Sequence, residues 1–278
     1  MMTRGHLPPV VGASWLAEHA DRVVTADVRW YLDGRSGLAA YRAGHLPGAV
    51  FIDLERWLSA PASDAGGRHP LPAPEVFAEG MARAGIGDHT QVVAYDDAGG
   101  TIAARLVWML RTTGHAAALL DGGIQGWPGA LETAEAPRPR ASFTALLWPE
   151  EHLARIDDVA SGGARLLDAR ARTRYRGEPD GLDPRAGHIP GAASLPCRDN
   201  LDAEGRFLAP DALRRRFEGA GVGPDTPVIS YCGSGVTACH NLLALERAGL
   251  GPGRLFPGSW SQWSRDPSRP IEVGDPPR

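Results

Sequence analysis

Residues 227–247 read PVISYCGSGVTACHNLLALER, a stretch whose pattern predicts the fold class of the chain. Val228–Tyr231 is a short, mostly apolar run typical of a buried parallel strand. Cys232 opens a Gly-rich turn, and Ala238–Arg247 carries apolar residues at helical spacing, with Gly249 where a helix end is expected. Strand, turn and helix in this order predict an α/β domain with a mostly parallel sheet. Functional sites in such sheets form at the carboxyl ends of the strands, which is where Cys232 lies.

The same pattern occurs earlier in the chain, where residues 91–111 read QVVAYDDAGGTIAARLVWMLR. Val92–Tyr95 matches the strand at an offset of 136 residues, and Ala103–Arg111 matches the helix, which ends at the same offset. At this offset Asp96 stands at the position of Cys232. The chain therefore carries two copies of one α/β unit, and only the second has a thiol at the end of this strand.

A second repeated motif fixes the domain limits. The turn AGHLPGA at 43–49 returns as AGHIPGA at 186–192. The repeating unit of roughly 130 residues that contains this turn is too long for the period of a solenoid and indicates a duplicated domain. We predict an N-terminal domain at 1–133, a Pro- and Ala-rich linker at 134–149 and a C-terminal domain at 150–278.

Composition excludes several functions. The chain has 278 residues, 43% hydrophobic and 22% charged, which is ordinary for a globular protein of about two domains. A net charge of −4 predicts no general attraction to nucleic acid or to an anionic membrane. All 29 basic residues are Arg, so Schiff-base and Walker-type Lys chemistry is absent.

The termini and cysteines bear on location and cofactors. The N-terminal sequence lacks the apolar core of a signal peptide, and no apolar run is long enough for a membrane span, so we expect a cytoplasmic protein. The three cysteines, Cys197, Cys232 and Cys239, match no zinc spacing and do not indicate a disulfide scaffold. We expect neither a metal nor a cofactor.

The loop after Cys232 is suited to stabilising negative charge on sulfur. Gly233 and Gly235 let the chain turn tightly, so that successive N–H groups and the start of the next helix point at the thiol. Such surroundings favour the thiolate, and they would also stabilise an S–S⁻ anion. The loop contains no Arg, which argues against a Cys-dependent phosphatase, because these enzymes grip phosphate with an Arg. An inert buried Cys is the structural alternative.

CGSGVTA, the two GH-(I/L)-PGA turns and the duplicated layout resemble the two-domain rhodanese family of sulfurtransferases, over nearly the whole chain. The uncharged loop is similar to that of the 3-mercaptopyruvate branch, whereas thiosulfate enzymes usually carry basic residues after the Cys. The resemblance implies an active C-terminal domain and an N-terminal domain without its Cys, in agreement with Asp96.

The resemblance also implies catalytic and substrate-binding residues. Cys232 would be the nucleophile, assisted by Ser234, by His45 from the first GH-PGA turn and by Asp33, the nearest acidic candidate upstream. For His45 a structural role in its turn, shared with His188, is the alternative. The donor's carboxylate would be bound by the fork-shaped side chains of Arg174 and Arg185. The remaining donor contacts would come from the loop itself, at Gly233, Gly235, Val236 and Thr237.

We therefore expect a sulfurtransferase that moves sulfur from 3-mercaptopyruvate to a thiol or cyanide through a Cys232 persulfide, releasing pyruvate. Thiosulfate as donor is one alternative, and a non-catalytic sulfur carrier or docking module is another. The expected partners are a small-molecule donor and a thiol acceptor, which a thioredoxin-like protein could provide. A duplicated chain already forms a pseudo-dimer, so we expect a monomer.

Overall fold

The computed structural model describes residues 7–135, 138–179 and 181–275. The chain divides into two compact units that are not simple halves of the sequence. The first unit comprises residues 1–60, 72–148 and 202–207, and the second comprises 61–71, 149–201 and 208–278. The segment 61–71 therefore belongs with the C-terminal half. Residues 136–137 of the predicted linker lie outside the described residues.

A parallel sheet forms the centre of the first unit, as the buried apolar runs predict. Its described strands pair in the order β1-β5-β4-β2-β3. All of these pairings are parallel. The strands are β1 (Val10–Val11), β2 (Val23–Asp27), β3 (Val50–Phe51), β4 (Gln91–Tyr95) and β5 (Ala117–Leu120). Strand β4 is central and its last four residues are buried, which explains its unbroken apolar sequence.

Helices cover this sheet. They are α1 (Ala13–His19), α2 (Gly37–Ala43), α3 (Leu54–Trp57), α4 (Pro74–Arg83) and α5 (Ala104–Thr112). Helix α5 begins and ends one residue later than the predicted Ala103–Arg111. Gly114 follows it with φ +82°, a conformation that favours glycine and ends the helix. A 3₁₀ helix spans Gly123–Gly126.

The second unit repeats this architecture around a smaller sheet. Its described strands are β6 (Arg165–Asp168), β7 (Ala193–Ser194), β8 (Val228–Tyr231) and β9 (Arg254–Leu255). They pair in the order β7-β6-β8-β9, and every pairing is parallel. The predicted fold class is confirmed in both units, and strand β8 has the predicted bounds.

The helices of the second unit are α6 (Ile156–Ser161), α7 (Arg172–Arg176), α8 (Pro210–Gly219), α9 (Ala238–Arg247) and α10 (Ser259–Trp263). Short 3₁₀ turns span Glu150–His152 and Cys197–Asn200. Helix α9 begins and ends where the apolar spacing predicts, and Gly249 follows it with φ +69°. None of the described residues lies in a helix with the length and apolarity required to cross a bilayer.

The GH-PGA turns have matching internal contacts in the two units. His45 Nδ1 donates to the Tyr41 carbonyl at 2.8 Å, and the two rings stack with centroids 4.0 Å apart. In the second unit His188 Nδ1 donates to the Tyr175 carbonyl at 2.7 Å, with ring centroids 3.6 Å apart. Both histidines are almost wholly buried. Each histidine therefore fixes its turn against a helix, which explains why the motif occurs twice.

Candidate active site

Cys232 follows directly after strand β8, at the carboxyl end of the second sheet. Its thiol is 2% exposed, and Sγ accepts a hydrogen bond from Gly235 N–H at 3.1 Å. Its own N–H donates to the Ser259 hydroxyl at 3.1 Å. The Gly-rich loop therefore directs a main-chain donor at the sulfur and shields it from bulk water, which strengthens electrostatic interactions there.

The loop requires glycine at Gly235. This residue has φ +78°, and a Cβ built on it would lie 2.4 Å from the carbonyl oxygen of Pro257. Ser259, in the neighbouring turn, has φ +52°, which is unusual for a residue other than glycine. The Ser259 hydroxyl also donates to the Phe256 carbonyl at 2.9 Å, so it bridges the Cys loop to the turn after strand β9. This bridge offsets the backbone strain at Ser259.

Ser234 contacts His69, a residue that the sequence did not predict as part of the site. Its hydroxyl and His69 Nδ1 share a hydrogen bond at 2.7 Å. Ser234 is 9% exposed, and His69 is partly buried. Serine and histidine side chains joined in this way can pass a proton, and His titrates in the physiological range.

Two arginines lie over the first glycine of the loop, and both are bound by one carboxylate. A Cβ built on Gly233 would be 2.9 Å from Arg68 Nη2 and 3.1 Å from Arg174 Nη1. Arg174 Nη2 donates to Asp183 at 2.9 Å, and Arg68 Nη1 donates to the other oxygen of the same carboxylate. Gly233 thus gives the guanidinium groups room beside the loop, and anion binding by Arg174 stays a prediction. Arg68 was not selected from the sequence.

The structure gives Arg185 a different place. Its guanidinium donates to the main-chain carbonyls of Ser264 at 2.8 Å, Arg269 at 2.9 Å, Trp263 at 3.2 Å and Asp266. The carbonyl of Arg185 accepts a hydrogen bond from the Trp260 indole at 3.0 Å. Arg185 binds the chain that follows α10, because four carbonyls occupy its donors, so we do not retain it as a substrate ligand.

His45 and Asp33 both belong to the first unit, whereas Cys232, Ser234 and His69 belong to the second. His45 is fully buried; its ring packs on Tyr41, and its main chain pairs with Glu132. Asp33 lies on the surface, where its carboxylate pairs with Arg35 at 2.9 Å. The structure brings His69 to Ser234, and catalytic roles for His45 and Asp33 stay predictions.

The other predicted loop residues are backbone elements of the site. Val236 is 3% exposed, and Thr237 directly precedes helix α9. The other two cysteines are buried. Burial raises the pKa of the Cys197 thiol to about 12, with a further contribution from Cys232. Cys197 is therefore a neutral thiol near pH 7, unsuited to nucleophilic attack.

The first unit carries the same loop with an anion already in it. The fully buried Asp96 carboxylate accepts four main-chain N–H groups, one oxygen from Ala98 and Gly100 at 2.8 and 2.7 Å, the other from Ile102 and Ala103 at 2.8 and 2.9 Å. Burial raises the Asp96 pKa, while these four donors act in the opposite direction. A strand–loop–helix junction of this sequence type is thus an anion-binding cradle.

His69 and Arg68 were missed because no local pattern connects their segment with the Cys loop. The second copy has a similar stretch, in which Gly205-Arg206-Phe207 resembles Gly67-Arg68-His69. Residues 202–207 belong to the first unit, as 61–71 belong to the second. The consecutive Arg-His-Pro of the first copy was the available signal. Over the described ranges, no cluster of His, Cys, Asp and Glu is arranged to hold a metal ion.

Both units have an anion-binding loop at the end of a parallel strand, with a thiol in the second unit and a carboxylate in the first. These features define a class of tandem α/β proteins suited to covalent chemistry on sulfur. The family model described as "Rhodanese-like domain" matches residues 13–130 and 149–266. The chain belongs to the rhodanese-like family and contains two of its domains, as the sequence predicted.

Relatives with established or assigned names cover almost the whole chain. A probable 3-mercaptopyruvate sulfurtransferase from Pseudomonas aeruginosa is 44% identical, over 91% of this chain and 93% of that protein. A putative thiosulfate sulfurtransferase from Mycobacterium tuberculosis is 40% identical over 99% of both chains. The crystal structure of an Escherichia coli 3-mercaptopyruvate sulfotransferase superposes with a TM-score of 0.79 at 36% identity, over 91% of this chain and 99% of that one. The prediction of a sulfurtransferase enzyme is confirmed by these relatives.

Proposed function

We propose that the protein transfers the sulfur of 3-mercaptopyruvate to a thiol or to cyanide through a persulfide on Cys232, and releases pyruvate. The observation that carries this proposal is the anion cradle. In the first unit the loop donates four N–H groups to the Asp96 carboxylate, whose oxygens lie two bonds beyond Cβ. The outer sulfur of a Cys232 persulfide also lies two bonds beyond Cβ. The same loop geometry would stabilise the persulfide anion.

The first half-reaction breaks the carbon–sulfur bond of the donor. The Cys232 thiolate attacks the donor sulfur and forms the S–S bond, and the electron pair of the broken bond remains on carbon as the pyruvate enolate. The donor thiol loses its proton and the enolate gains one, so that the proton count balances. Ser234 and His69, joined at 2.7 Å, are placed to carry that proton.

The second half-reaction regenerates the enzyme. An acceptor thiolate or cyanide attacks the outer sulfur of the persulfide, and Cys232 leaves as the thiolate. Gly235 N–H, 3.1 Å from Sγ, supports the negative charge that returns to this atom. The acceptor class is a thiol. A thioredoxin-like acceptor, a monomeric state and a cytoplasmic location remain predictions from the sequence.

Thiosulfate is the second candidate donor, and a specific observation favours it. Two guanidinium groups, from Arg68 and Arg174, lie beside the loop, and the M. tuberculosis relative carries a thiosulfate name. Thiosulfate needs no proton transfer to a carbon leaving group, so it would not use the Ser234–His69 pair. That pair, together with the absence of charged side chains within the Cys loop, supports 3-mercaptopyruvate over thiosulfate.

The direct test is the intact mass of the protein after parallel exposure to 3-mercaptopyruvate and to thiosulfate. We expect 3-mercaptopyruvate to leave the chain one sulfur atom heavier, with release of pyruvate, and cyanide to reverse the gain. Cys232→Ser should gain no sulfur and transfer none. A faster gain from thiosulfate would overturn the choice of donor. An unchanged mass with both donors would favour the non-catalytic docking module.

A further inference from the structure

Ser261, in helix α10, joins the Cys loop to the segment that carries His69. Its main-chain N–H donates to the Gly233 carbonyl at 2.9 Å, and its hydroxyl accepts the Arg68 N–H at 3.0 Å. The same hydroxyl donates to the Gly258 carbonyl at 3.0 Å, which fixes its orientation. Because Ser261 is fully buried, bulk water does not compete for these hydrogen bonds.

The contacts of Ser261 form a closed ring with the Ser234–His69 pair. Gly233 immediately precedes Ser234, and Arg68 immediately precedes His69. The hydrogen bond between Ser234 Oγ and His69 Nδ1, at 2.7 Å, closes the ring on the side of the active site. Each member of the pair is therefore anchored, through the backbone of the residue before it, to the same serine.

Helix α10 also holds the nucleophile. The Trp260 N–H donates to the Cys232 carbonyl at 3.0 Å, and the Ser261 N–H donates to the carbonyl of the next loop residue, Gly233. Consecutive N–H groups of α10 thus bind consecutive carbonyls of the Cys loop. The start of this helix supports the reactive cysteine, and the Ser261 hydroxyl extends that support to the segment of His69.

The first unit holds its corresponding segment, 202–207, by a different contact. There the Phe207 N–H donates to the Asp121 carboxylate at 2.7 Å. Gln125 occupies the position of Ser261 at the offset of 136 residues, and its side-chain amide donates to a main-chain carbonyl of its own loop at 2.9 Å. The bridge through Ser261 is therefore not a general feature of the fold, and it belongs to the unit that carries the thiol.

We propose that Ser261 is a positioning residue for sulfur transfer, which holds the proton-carrying Ser234–His69 pair in register with Cys232. Ser261 acts through its hydrogen bonds to the backbone and carries no proton itself. Proton transfer requires hydrogen-bond distances, so a small displacement of the pair lowers the rate steeply. This inference rests on the proposed function, because the pair is needed when a donor proton must reach a carbon leaving group.

Single-turnover sulfur loading from both donors tests this role. Ser261→Ala keeps the N–H that binds Gly233 and removes the hydroxyl that binds Arg68. We therefore expect persulfide formation from 3-mercaptopyruvate to slow by about 10- to 100-fold, as for a misplaced catalytic group. Loading from thiosulfate, which needs no proton carrier, should change much less. Rapid-quench intact mass measures both rates, and equal losses with the two donors would overturn the proposal.

A double-mutant cycle shows whether Ser261 acts through His69. In His69→Asn the proton carrier is already lost, so the addition of Ser261→Ala should cause little further loss with 3-mercaptopyruvate. Losses that multiply in the double variant would mean that Ser261 acts by another route, and the proposed positioning role would then be wrong.

Ser264→Ala is the matched control. Ser264 directly follows α10 and is 2% exposed, and its hydroxyl has no hydrogen-bond partner in the part of the chain that the structure describes. The variant removes a buried hydroxyl three residues from Ser261 without opening the ring. We expect wild-type loading rates with both donors. A loss as large and as donor-selective as that of Ser261→Ala would overturn the proposal.

Gly67→Ala perturbs the same contact from the opposite side, and it replaces Ser261→Ala if that variant does not fold. A Cβ built on Gly67 would lie 2.6 Å from Ser261 Oγ, so the added methyl group displaces the segment of His69 from the helix. We expect the same selective loss with 3-mercaptopyruvate. Unchanged loading rates in this variant would count against the bridge.

A measurement without a sulfur donor separates this inference from the proposed function. The ¹⁵N NMR signal of His69 Nδ1 reports its hydrogen bond with Ser234, and Ser234→Ala defines the signal without that bond. We expect Ser261→Ala to move the signal in the same direction and Ser264→Ala to leave it in place. If the wild-type protein takes sulfur from neither donor while the signal moves, the proposed function fails and the positioning role stands. A signal that Ser261→Ala leaves unmoved overturns that role.

Discussion

Ser234 and His69 show how single residues distinguish the two donors. The pair is needed only when a proton must move from the donor thiol to a carbon leaving group. We expect Ser234→Ala and His69→Asn each to slow persulfide formation from 3-mercaptopyruvate by about 10²- to 10⁴-fold. With thiosulfate the same variants should change the rate much less, because that donor has no such proton. Rapid-quench intact mass with each donor measures both rates.

We expect His69 and His45 to give opposite outcomes in this experiment. His69 contacts Ser234, whereas the ring of His45 contacts Tyr41 next to its own turn. Equal losses of rate with both donors in His69→Asn would indicate a structural role for His69. If replacement of His45 abolished transfer while His69→Asn left it intact, the expectation from family resemblance would be restored.

At the scale of an element, the Cys loop depends on two glycines for different reasons. Gly235 combines a positive φ with a close approach to the backbone of Pro257, neither of which a side chain tolerates. The atoms nearest to a Cβ built on Gly233 are guanidinium nitrogens of Arg68 and Arg174, at the ends of side chains and not in the backbone. We expect Gly235→Ala to lower the free energy of unfolding by more than about 2 kcal/mol. Gly233→Ala should cost less stability and instead raise KM for an anionic donor.

Urea unfolding and steady-state kinetics on the two alanine variants check this contrast. The same added methyl group is tested at two positions that lie two residues apart in sequence, so each variant serves as the control for the other. Equal losses of stability, with no change in KM for Gly233→Ala, would show that the arginines do not lie over this part of the loop during catalysis.

Within the first unit, a carboxylate of helix α4 pairs with an arginine of the segment that follows residue 138. Glu79 accepts from Arg140 and from Arg83, one turn further along the helix, and these guanidinium groups lower its pKa from 4.5 to about 2. Because the folded-state pKa lies below the unfolded value, the ionised carboxylate stabilises the fold above about pH 4.5. This contribution is lost as the pH falls from about 4.5 towards about 2.

The pH dependence of unfolding tests this link. We expect Glu79→Gln to lower the urea midpoint near pH 6, and the difference from the wild type to shrink near pH 3. The Glu79 side chain is 34% exposed, so solvent screening keeps the effect small. A difference that stays the same at both pH values would mean that the charge of Glu79 does not contribute.

In the molecule as a whole, the internal duplication allowed the fold class to be predicted from the sequence. Strand β8 and helix α9 have the bounds that their apolar spacing predicts, because such patterns are local and each appears in both copies. Cys232 was selected for the same reason, since the Gly-rich loop around it is contiguous in sequence.

The parts of the site that the sequence did not provide are those that meet through tertiary structure. His69 reaches Ser234 across 165 residues, and Arg68 reaches Asp183 across 115. No local pattern encodes those contacts. Arg185 was selected because Arg binds carboxylates well, but the same five donors also bind main-chain carbonyls, and only the structure shows which use applies.

The two units separate what the fold supplies from what the side chains add. Both contain the cradle, but the counterpart of Ser234 in the first unit is Ala98. Tyr41 and Tyr175 are equivalent by their contacts with the turn histidines, so the residue that corresponds to Arg174 is Ala40. The first unit thus has main-chain donors for an anion on sulfur but lacks two side chains that we assign to the donor.

Restoring the thiol in the first unit tests whether the cradle alone is sufficient. In Asp96→Cys the new thiol would face the amides that now bind the carboxylate, yet it would have neither a proton carrier nor an arginine at the positions of Ser234 and Arg174. We therefore expect 3-mercaptopyruvate to add one sulfur atom to Asp96→Cys, as in the wild type, and none to the double variant Asp96→Cys/Cys232→Ser, whose far-ultraviolet circular dichroism verifies folding. Two added sulfur atoms would show that main-chain donors are enough, and would remove the need for the side chains assigned here.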